Sequence, residues 1–192
     1  MDCSKTGKII FELRKEKGMT QKQLADAINI SDKTVSKWER GLGCPDVSLL
    51  GELSEVLEVN VEKLLGGCLE KNETDGGNMK KLKFYVCPEC GNIMTSTGKS
   101  EISCCGRKLS ELTAAKADEN HSVRIEGMDD ESYVVFDHEM TKQHFISFAA
   151  YSTCDRLTMV RLYPEQNAEV RFPRLRGGRL YFYCNEHGLF YV

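Results

Sequence analysis

The sequence predicts a multidomain α + β protein with a helical N-terminal domain and two β-rich domains after it. Apolar residues recur at spacings of three and four over the first 66 residues, whereas β-branched and aromatic runs separated by turn residues follow residue 79. The stretch between the two patterns is rich in Gly, Asn, Glu and Asp. We therefore predict domains over residues 1–66, 80–112 and 113–192, with a flexible linker over residues 67–79.

The composition, 41% hydrophobic and 29% charged, is typical of globular proteins. No uncharged apolar run approaches the roughly 18 residues of a membrane span, and charges occupy the place of a signal peptide's apolar segment. We therefore expect a cytoplasmic protein, in which nine cysteines serve as metal ligands or redox groups more often than as disulfides. The net charge is −3, but residues 1–45 carry nine basic and six acidic residues, so DNA binding needs a local basic face.

Five short helices are predicted in the first domain from their caps and apolar stripes. Thr20 and Gln23 form a capping box before the second helix. Ser31, Asp46 and Asn60 are the expected caps of the third, fourth and fifth helices. The expected core residues are Ile9, Ile10 and Leu13, then Leu24, Ala25 and Ile28, then Val35 and Trp38, then Leu49, Leu50, Leu53 and Leu57, and finally Leu64 and Leu65.

The second and third helices have the spacing of a helix-turn-helix, over Thr20–Ala27, Ile28–Ile30 and Ser31–Arg40. Asn29 suits the left-handed backbone that such a turn needs. The stretch TQKQLADAINISDKTVSKWERG, followed by PDVSLLGELSEVLEV, resembles the Cro/repressor (XRE) family over residues 6–66. The resemblance implies a regulator that binds a double-stranded DNA operator as a homodimer, with the third helix in the major groove.

The resemblance also assigns DNA contacts by position. It places Ser31 at the start of the recognition helix, assigns base contacts to Asp32, Lys33, Ser36 and Lys37, and assigns phosphate contacts to Gln21, Thr34 and Arg40. Asp32 stands where the family more often has a neutral amide side chain. Its carboxylate either accepts a hydrogen bond from a cytosine amino group or repels the DNA backbone. A helical bundle used for protein contacts is the alternative interpretation.

A first metal site is predicted from four cysteines, Cys87, Cys90, Cys104 and Cys105. Four thiolates favour a tetrahedral site for iron or zinc. A structural zinc ribbon is one interpretation, although an adjacent cysteine pair is unusual there. The stretches YVCPECGNIMTS and ISCCGRKL resemble desulforedoxin, which implies a small β metal-binding domain with iron, and zinc would also satisfy the four thiolates.

A second site is predicted from four histidines and one cysteine, His121, His138, His144, Cys184 and His187. Their order and the stretch YCNEHGLFYV resemble the centre of desulfoferrodoxin and neelaredoxin, the superoxide reductases. The resemblance implies an immunoglobulin-like β-sandwich and an iron bound by the four imidazoles, with Cys184 as axial ligand and one position open. It further implies one-electron reduction of superoxide to hydrogen peroxide, supplied by an electron donor such as a rubredoxin.

In that family a Glu-Lys pair precedes the first histidine, and its glutamate caps the open position. Here the pair is Glu119 and Asn120, so the catalytic glutamate is present and the cation that attracts superoxide is not. Three functions stay open: a regulator whose iron module is a sensor, a working superoxide reductase with a DNA-binding domain, and a structural zinc or iron module that only dimerises the regulator. We favour DNA binding together with superoxide chemistry.

The remaining cysteines, Cys3, Cys44, Cys68 and Cys154, show no pairing pattern and are predicted to be ordinary thiols. Oxidation of Cys44, which follows the recognition helix, could disturb DNA binding. The strands expected in the last domain are Tyr133–Phe136, Phe145–Tyr151, Leu157–Tyr163, Val170–Phe172 and Leu180–Tyr183.

Overall fold

The structure is a computed structural model that describes residues 2–69, 72 and 79–192. The chain divides into two compact units, Met1–Lys71 and Asn72–Val192. Most of the predicted linker, residues 70, 71 and 73–78, lies outside the described residues. Within the described part of the chain, no helix combines the length and apolar character required to cross a membrane.

The first unit contains the five predicted helices. They are α1 (Cys3–Glu16), α2 (Gln21–Ala27), α3 (Asp32–Glu39), α4 (Leu50–Leu57) and α5 (Val61–Gly66). Asp46 caps a 3₁₀ turn, Val47–Leu49, rather than the fourth helix itself, which begins at Leu50. The expected apolar stripes meet in one core that includes Ile10, Leu24 and Leu53.

Local sequence signals explain where these helices begin. Thr20 and Gln23 form the complete capping box, and the side chains of Ser31 and Asn60 accept backbone N–H bonds at the starts of α3 and α5. Asn29 has φ +54°, as predicted for the turn between α2 and α3. These caps satisfy amide groups that would otherwise lack partners, so α2, α3 and α5 each begin at a defined residue.

Twelve short strands make up the second unit as far as its residues are described. They are β1 (Lys83–Val86), β2 (Ile93–Ser96), β3 (Ile102–Cys104), β4 (Arg107–Leu109), β5 (Ala115–Lys116), β6 (Ser122–Met128), β7 (Glu131–Asp137), β8 (Ile146–Ser152), β9 (Leu157–Arg161), β10 (Glu169–Pro173), β11 (Arg179–Cys184) and β12 (Gly188–Tyr191). All five predicted strands are present, as β7 to β11. Three further sandwich strands, β5, β6 and β12, were not predicted. Of these, β6 lies at a sheet edge and exposes most of its side chains.

Two sheets form the sandwich that positions the second metal cluster. One has the order β10-β7-β6 and the other β5-β12-β11-β8-β9. Buried residues of both sheets, including Val134, Phe172 and Phe182, pack into one core. The predicted multidomain α + β class, with five helices and a β-sandwich, is confirmed.

The two small hairpins, β1-β2 and β3-β4, lie in the same unit as the sandwich. Phe84 of β1 stacks on Phe148 of β8, with ring centroids 5.7 Å apart. The backbone N–H of Leu112 donates to the carbonyl of Phe84 over 2.8 Å. The Phe84–Phe148 contact therefore ties the four-cysteine region to the sandwich, and the Leu112–Phe84 bond holds β1 against the segment that leads into it.

Candidate metal centres and nucleic-acid interface

The four-cysteine cluster is formed by the turns of the two small hairpins. Cys87 and Cys90 lie in the β1-β2 turn, where the Cys87 carbonyl accepts from the Gly91 N–H over 2.9 Å. Cys104 ends β3, and Cys105 begins the two-residue turn to β4 with φ +50°, followed by Gly106 at φ +73°. Positive φ at both positions is typical of a type I′ hairpin turn. The adjacent cysteine pair therefore belongs to a tight turn.

The four sulfurs of this cluster lie within 4.8 Å of one another. Backbone N–H groups of Cys90 and Glu89 lower the pKa of the Cys87 thiol to about 7. The neighbouring sulfurs, with Cys90 first among them, raise the pKa of Cys105 to about 12. Four thiols this close compete for negative charge, and a bound cation would relieve that competition. The arrangement can hold one tetrahedral metal ion.

The second cluster brings together all five predicted residues, whose candidate ligand atoms also lie within 4.8 Å of one another. His187 Nδ1 is 3.2 Å from Nε2 of both His121 and His144. Cys184 Sγ is 3.1 Å from His144 Nε2. His138 Nε2 is buried without a hydrogen-bond partner among the described residues, which fits a nitrogen facing a metal ion. Four imidazoles and a thiolate suit iron.

Three neighbours hold the histidine rings in place. Asp118 Oδ1 lies 2.8 Å from His121 Nδ1, and the Glu139 carboxylate contacts His144 Nδ1. The Phe190 ring stacks on His121 with centroids 4.1 Å apart. Carboxylates that accept from the far nitrogen of an imidazole leave the near nitrogen free for a metal. The histidine bond is the main cause of a lowered Asp118 pKa.

A cavity of about 710 Å³ opens over the second cluster. All four histidines line it, whereas Cys184 is fully buried and is not among its lining residues. Burial raises the pKa of the Cys184 thiol and lowers that of His138. Glu119 lines the cavity beside His121 in the 3₁₀ turn Glu119–His121, as does Asn120. The face reached from solvent is therefore the imidazole side.

The charge around this cavity was not predicted. Four carboxylates line it, from Asp118, Glu119, Asp137 and Glu139. Its lining, as far as the chain is described, includes no lysine or arginine. The acids come from two segments that lie close to the histidines in sequence, so their proximity could have been inferred. Their field opposes the approach of an anion.

The predicted DNA contacts cluster on and around α3. Asp32, Lys33, Lys37 and Arg40 are exposed, and Ser36 is half-buried. Ser31 and Thr34 bond to each other at the helix start, with hydroxyl oxygens 2.8 Å apart. The Arg40 Nε donates to the Ser36 carbonyl over 3.1 Å. The helix thus presents two lysines near its exposed face, as a groove-binding helix requires.

Gln21 has a partner that sequence reasoning missed. Its amide donates to Glu39 Oε2 over 2.7 Å, and Glu39 also accepts from Arg14. This network joins α1, α2 and α3, so Gln21 supports the helix arrangement in addition to its predicted phosphate contact. Arg14 was not singled out because its partner lies 25 positions away.

The prediction of ordinary thiols was wrong for two cysteines. Cys3 and Cys44 form a disulfide, with Cα atoms 4.8 Å apart. The helical packing of the first unit brings them together, which residue spacing alone does not reveal. Cys68 and Cys154 are free and exposed, as expected.

Comparison with known proteins finds similarities for both halves of the chain. Residues 10–64 match the helix-turn-helix family HTH_3. The chain is 36% identical over 78 residues to the HTH-type transcriptional activator BcrR of Enterococcus faecalis, covering 39% of this chain and 38% of that activator. The match thus spans well under half of that relative.

The β-rich half resembles a second group. It is 28% identical over 116 residues to desulfoferrodoxin of Clostridium acetobutylicum, covering 56% of this chain and 93% of that protein. Superoxide reductase of Treponema pallidum shares the fold, with a TM-score of 0.50 and 21% identity over 58% of this chain and 97% of that one. The two similarities involve opposite halves of the chain.

Proposed function

Because the chain joins an XRE-type helix-turn-helix domain to a region homologous to desulfoferrodoxin, we propose that it is a DNA-binding transcriptional regulator with an iron centre that reacts with superoxide. The convergence of four imidazoles and one thiol beneath an open cavity carries this proposal. The buried, unpartnered Nε2 of His138 supports metal binding there over a purely structural cluster of histidines.

Iron at this site would supply the electron that, with two protons, reduces superoxide to hydrogen peroxide. Cys184 would bind the metal ion as a thiolate, because a bound cation deprotonates a coordinating thiol, and burial protects its sulfur from solvent. Asp118 and Glu139 orient His121 and His144. Glu119 lines the cavity, where it would cap the open position of a bound iron, and solvent would provide the protons.

The acidic cavity favours a sensor over a high-throughput enzyme. The carboxylates that line it repel an anionic substrate, and Asn120 adds no compensating charge. Slow reaction suits a centre whose oxidation state is read out by a second domain. Such a sensor requires the ferrous and ferric proteins to differ in DNA affinity.

The first half would bind a double-stranded DNA operator as a homodimer in the cytoplasm. Lys33 and Lys37 are exposed on α3, where they can reach base edges or phosphates. One helix reads one half-site, so two recognition helices would lie roughly 34 Å apart, one turn of DNA.

The four-cysteine cluster would hold iron or zinc. Iron there could pass electrons from a donor such as a rubredoxin toward the second site. Zinc would make the cluster structural, because zinc has no redox chemistry in proteins.

Metal content and visible spectra test the iron proposal. Protein purified without oxygen should contain iron, and oxidation should produce a ferric-thiolate absorption band. Cys184→Ala should abolish that band, whereas Cys154→Ala, which changes a free cysteine outside both clusters, should leave it intact. Two zinc ions and no iron would instead support the alternative, a structural module that only dimerises the regulator.

DNA binding is tested with duplexes enriched from a random-sequence library. Lys33→Ala and Lys37→Ala should weaken binding to the enriched duplex about tenfold each, and Lys8→Ala, an exposed change on α1, should not. Equal affinity of the ferrous and ferric proteins would reject the sensor while leaving the regulator intact.

A further inference from the structure

Two cysteines outside both metal clusters lie together in the DNA-binding unit. Cys3 is the first residue of α1, and Cys44 lies in the loop that follows α3. They form a disulfide and both are half-buried. The five cysteines of the metal clusters all lie in the other unit, so neither metal cluster includes Cys3 or Cys44.

The disulfide lies where the recognition helix packs on α1. A Cβ at Gly7 of α1 would come within 1.9 Å of the carbonyl oxygen of Trp38 in α3, so the two backbones are in direct contact. A Cβ at Gly41, which has φ +72°, would lie 3.1 Å from the Cα of Ser4. The start of α1 and the end of the recognition helix therefore touch with or without a covalent bond. The sulfurs of Cys3 and Cys44 meet because this helical packing brings the two residues together.

We propose that Cys3 and Cys44 are a thiol pair that hydrogen peroxide oxidises, and that the resulting disulfide locks the end of the recognition helix onto α1. In compartments where proteins meet DNA, disulfides are uncommon, and those that form are usually transient or redox-sensing. A pre-assembled pair beside the recognition helix is suited to that role.

The reaction balances with peroxide as the oxidant. One cysteine sulfur attacks a peroxide oxygen, the O–O bond breaks, and a sulfenic acid and water form. The second sulfur attacks the sulfenic sulfur, forms the S–S bond and releases a second water. The two thiols lose two electrons and two protons, and the peroxide gains both.

The source of the peroxide rests on the proposed function, because peroxide would be the product of superoxide reduction in the second unit. The pairing of the thiols does not depend on it. The bond closes a loop between positions 41 apart that contains the complete helix-turn-helix. It restricts the unfolded chain over that length, so oxidation should stabilise the folded DNA-binding unit.

The test uses the full-length, metal-loaded protein. Fully reduced protein is treated anaerobically with hydrogen peroxide in molar excess over its iron, because ferrous iron also consumes peroxide, and free thiols are then alkylated and mapped by peptide mass spectrometry. Cys3 and Cys44 should lose reactivity together, while Cys68 and Cys154 keep theirs. Thermal unfolding followed by helix circular dichroism should shift upward by about 10 °C or more, since the described helices α1 to α5 all lie in this unit.

Variants separate this proposal from the proposed function. Cys3→Ser and Cys44→Ser should each abolish the shift, whereas Cys68→Ser and Cys154→Ser should retain it. Added peroxide should form the bond in Cys184→Ala as well. A superoxide flux should form it faster in the wild type than in Cys184→Ala, where only uncatalysed dismutation supplies peroxide. Bond formation by added peroxide in both proteins, with equal rates of bond formation under the superoxide flux, would overturn the proposed chemistry of the iron site alone. If Cys3 and Cys44 stay reactive toward alkylation after peroxide treatment, or if the unfolding temperature is unchanged, the proposed oxidation of this pair is wrong.

Discussion

Arg14 of α1 and Glu39, the last residue of α3, form a buried ion pair with two hydrogen bonds, of which Nη2 to Oε2 measures 2.8 Å. Each side chain is only 4% exposed. A third Arg14 nitrogen, Nη1, donates to the Met19 carbonyl over 2.7 Å. The guanidinium therefore links α1, the following turn and the recognition helix.

Removing one partner of this pair should destabilise the DNA-binding unit strongly. Arg14→Met leaves the Glu39 carboxylate buried without its cation, which costs about 3–5 kcal/mol. The free energy of unfolding from urea titrations followed by helix circular dichroism measures the loss. Lys17→Met, which breaks the exposed Lys17–Glu58 pair, should cost less than about 1 kcal/mol. Similar losses in the two variants would contradict a special role for Arg14.

The same pair predicts a loss of stability in acid. Burial raises the pKa of Glu39, but hydrogen bonds from Arg14 and Gln21 outweigh it and lower the pKa below its ordinary 4.5. A group whose pKa falls on folding stabilises the protein above its unfolded pKa, and that contribution is lost as pH falls through the folded value. The free energy of unfolding should therefore decline below pH 4.5. In Glu39→Gln it should decline less steeply over the same range. Parallel curves would assign the acid sensitivity to other carboxylates.

Much of the helical unit follows from local sequence, and the exceptions have a common cause. Caps at Thr20, Ser31 and Asn60 act within one turn, so the sequence reveals them. The Arg14–Glu39 pair and the Cys3–Cys44 disulfide join positions 25 and 41 apart, and only the packed helices bring them together. Local signals therefore predict elements better than the contacts between elements.

The candidate metal sites were predictable because the sequence gives the type and order of the ligand residues, although it does not give their arrangement in space. The motif residues assemble into both clusters. The turn at Cys105 explains the adjacent cysteines, and that turn depends on a hairpin register that the motif does not encode. Strand β6 was missed since an exposed edge strand lacks the period-two burial that marks buried strands.

The close approach of α1 and α3 should make Gly7 intolerant of any side chain. Gly7→Ala would place a methyl group 1.9 Å from the Trp38 carbonyl oxygen, so the helices must move apart, at a cost of about 3 kcal/mol or more. Gly51→Ala is the matched control, because a Cβ there meets nothing within 4 Å in α4. That variant should gain about 0.5 kcal/mol from helix propensity. Urea denaturation compares the two, and equal stabilities would refute the backbone contact.

Glu139 should tune metal affinity at the histidine cluster through His144. Its carboxylate contacts His144 Nδ1, so Glu139→Gln removes the charge that orients and polarises the ring. Loss of such a partner typically weakens metal binding 10- to 100-fold, about the range expected here. Competition between the protein and a chelator for ferrous iron measures the effect. Glu126→Gln, an exposed change on β6, is the control, and an affinity equal to that control would exclude the role.

Restoring a cation beside His121 should speed the reaction with superoxide. Asn120 lines a cavity that also contains four carboxylates, so the local field repels an anion. Asn120→Lys adds a positive charge at that opening and should raise the second-order rate roughly two- to tenfold at low salt. The gain should shrink as ionic strength rises, because salt screens charges separated by more than about 10 Å at 0.1 M.

Pulse radiolysis of the iron-loaded protein measures this rate directly. Asn167→Lys adds the same charge at an exposed position that does not line the cavity, so it controls for the change in net charge. Local steering predicts a faster rate in Asn120→Lys than in Asn167→Lys at low salt, and convergence of the two at high salt. Rates that match at every ionic strength would mean that the acidic cavity does not limit the approach of superoxide.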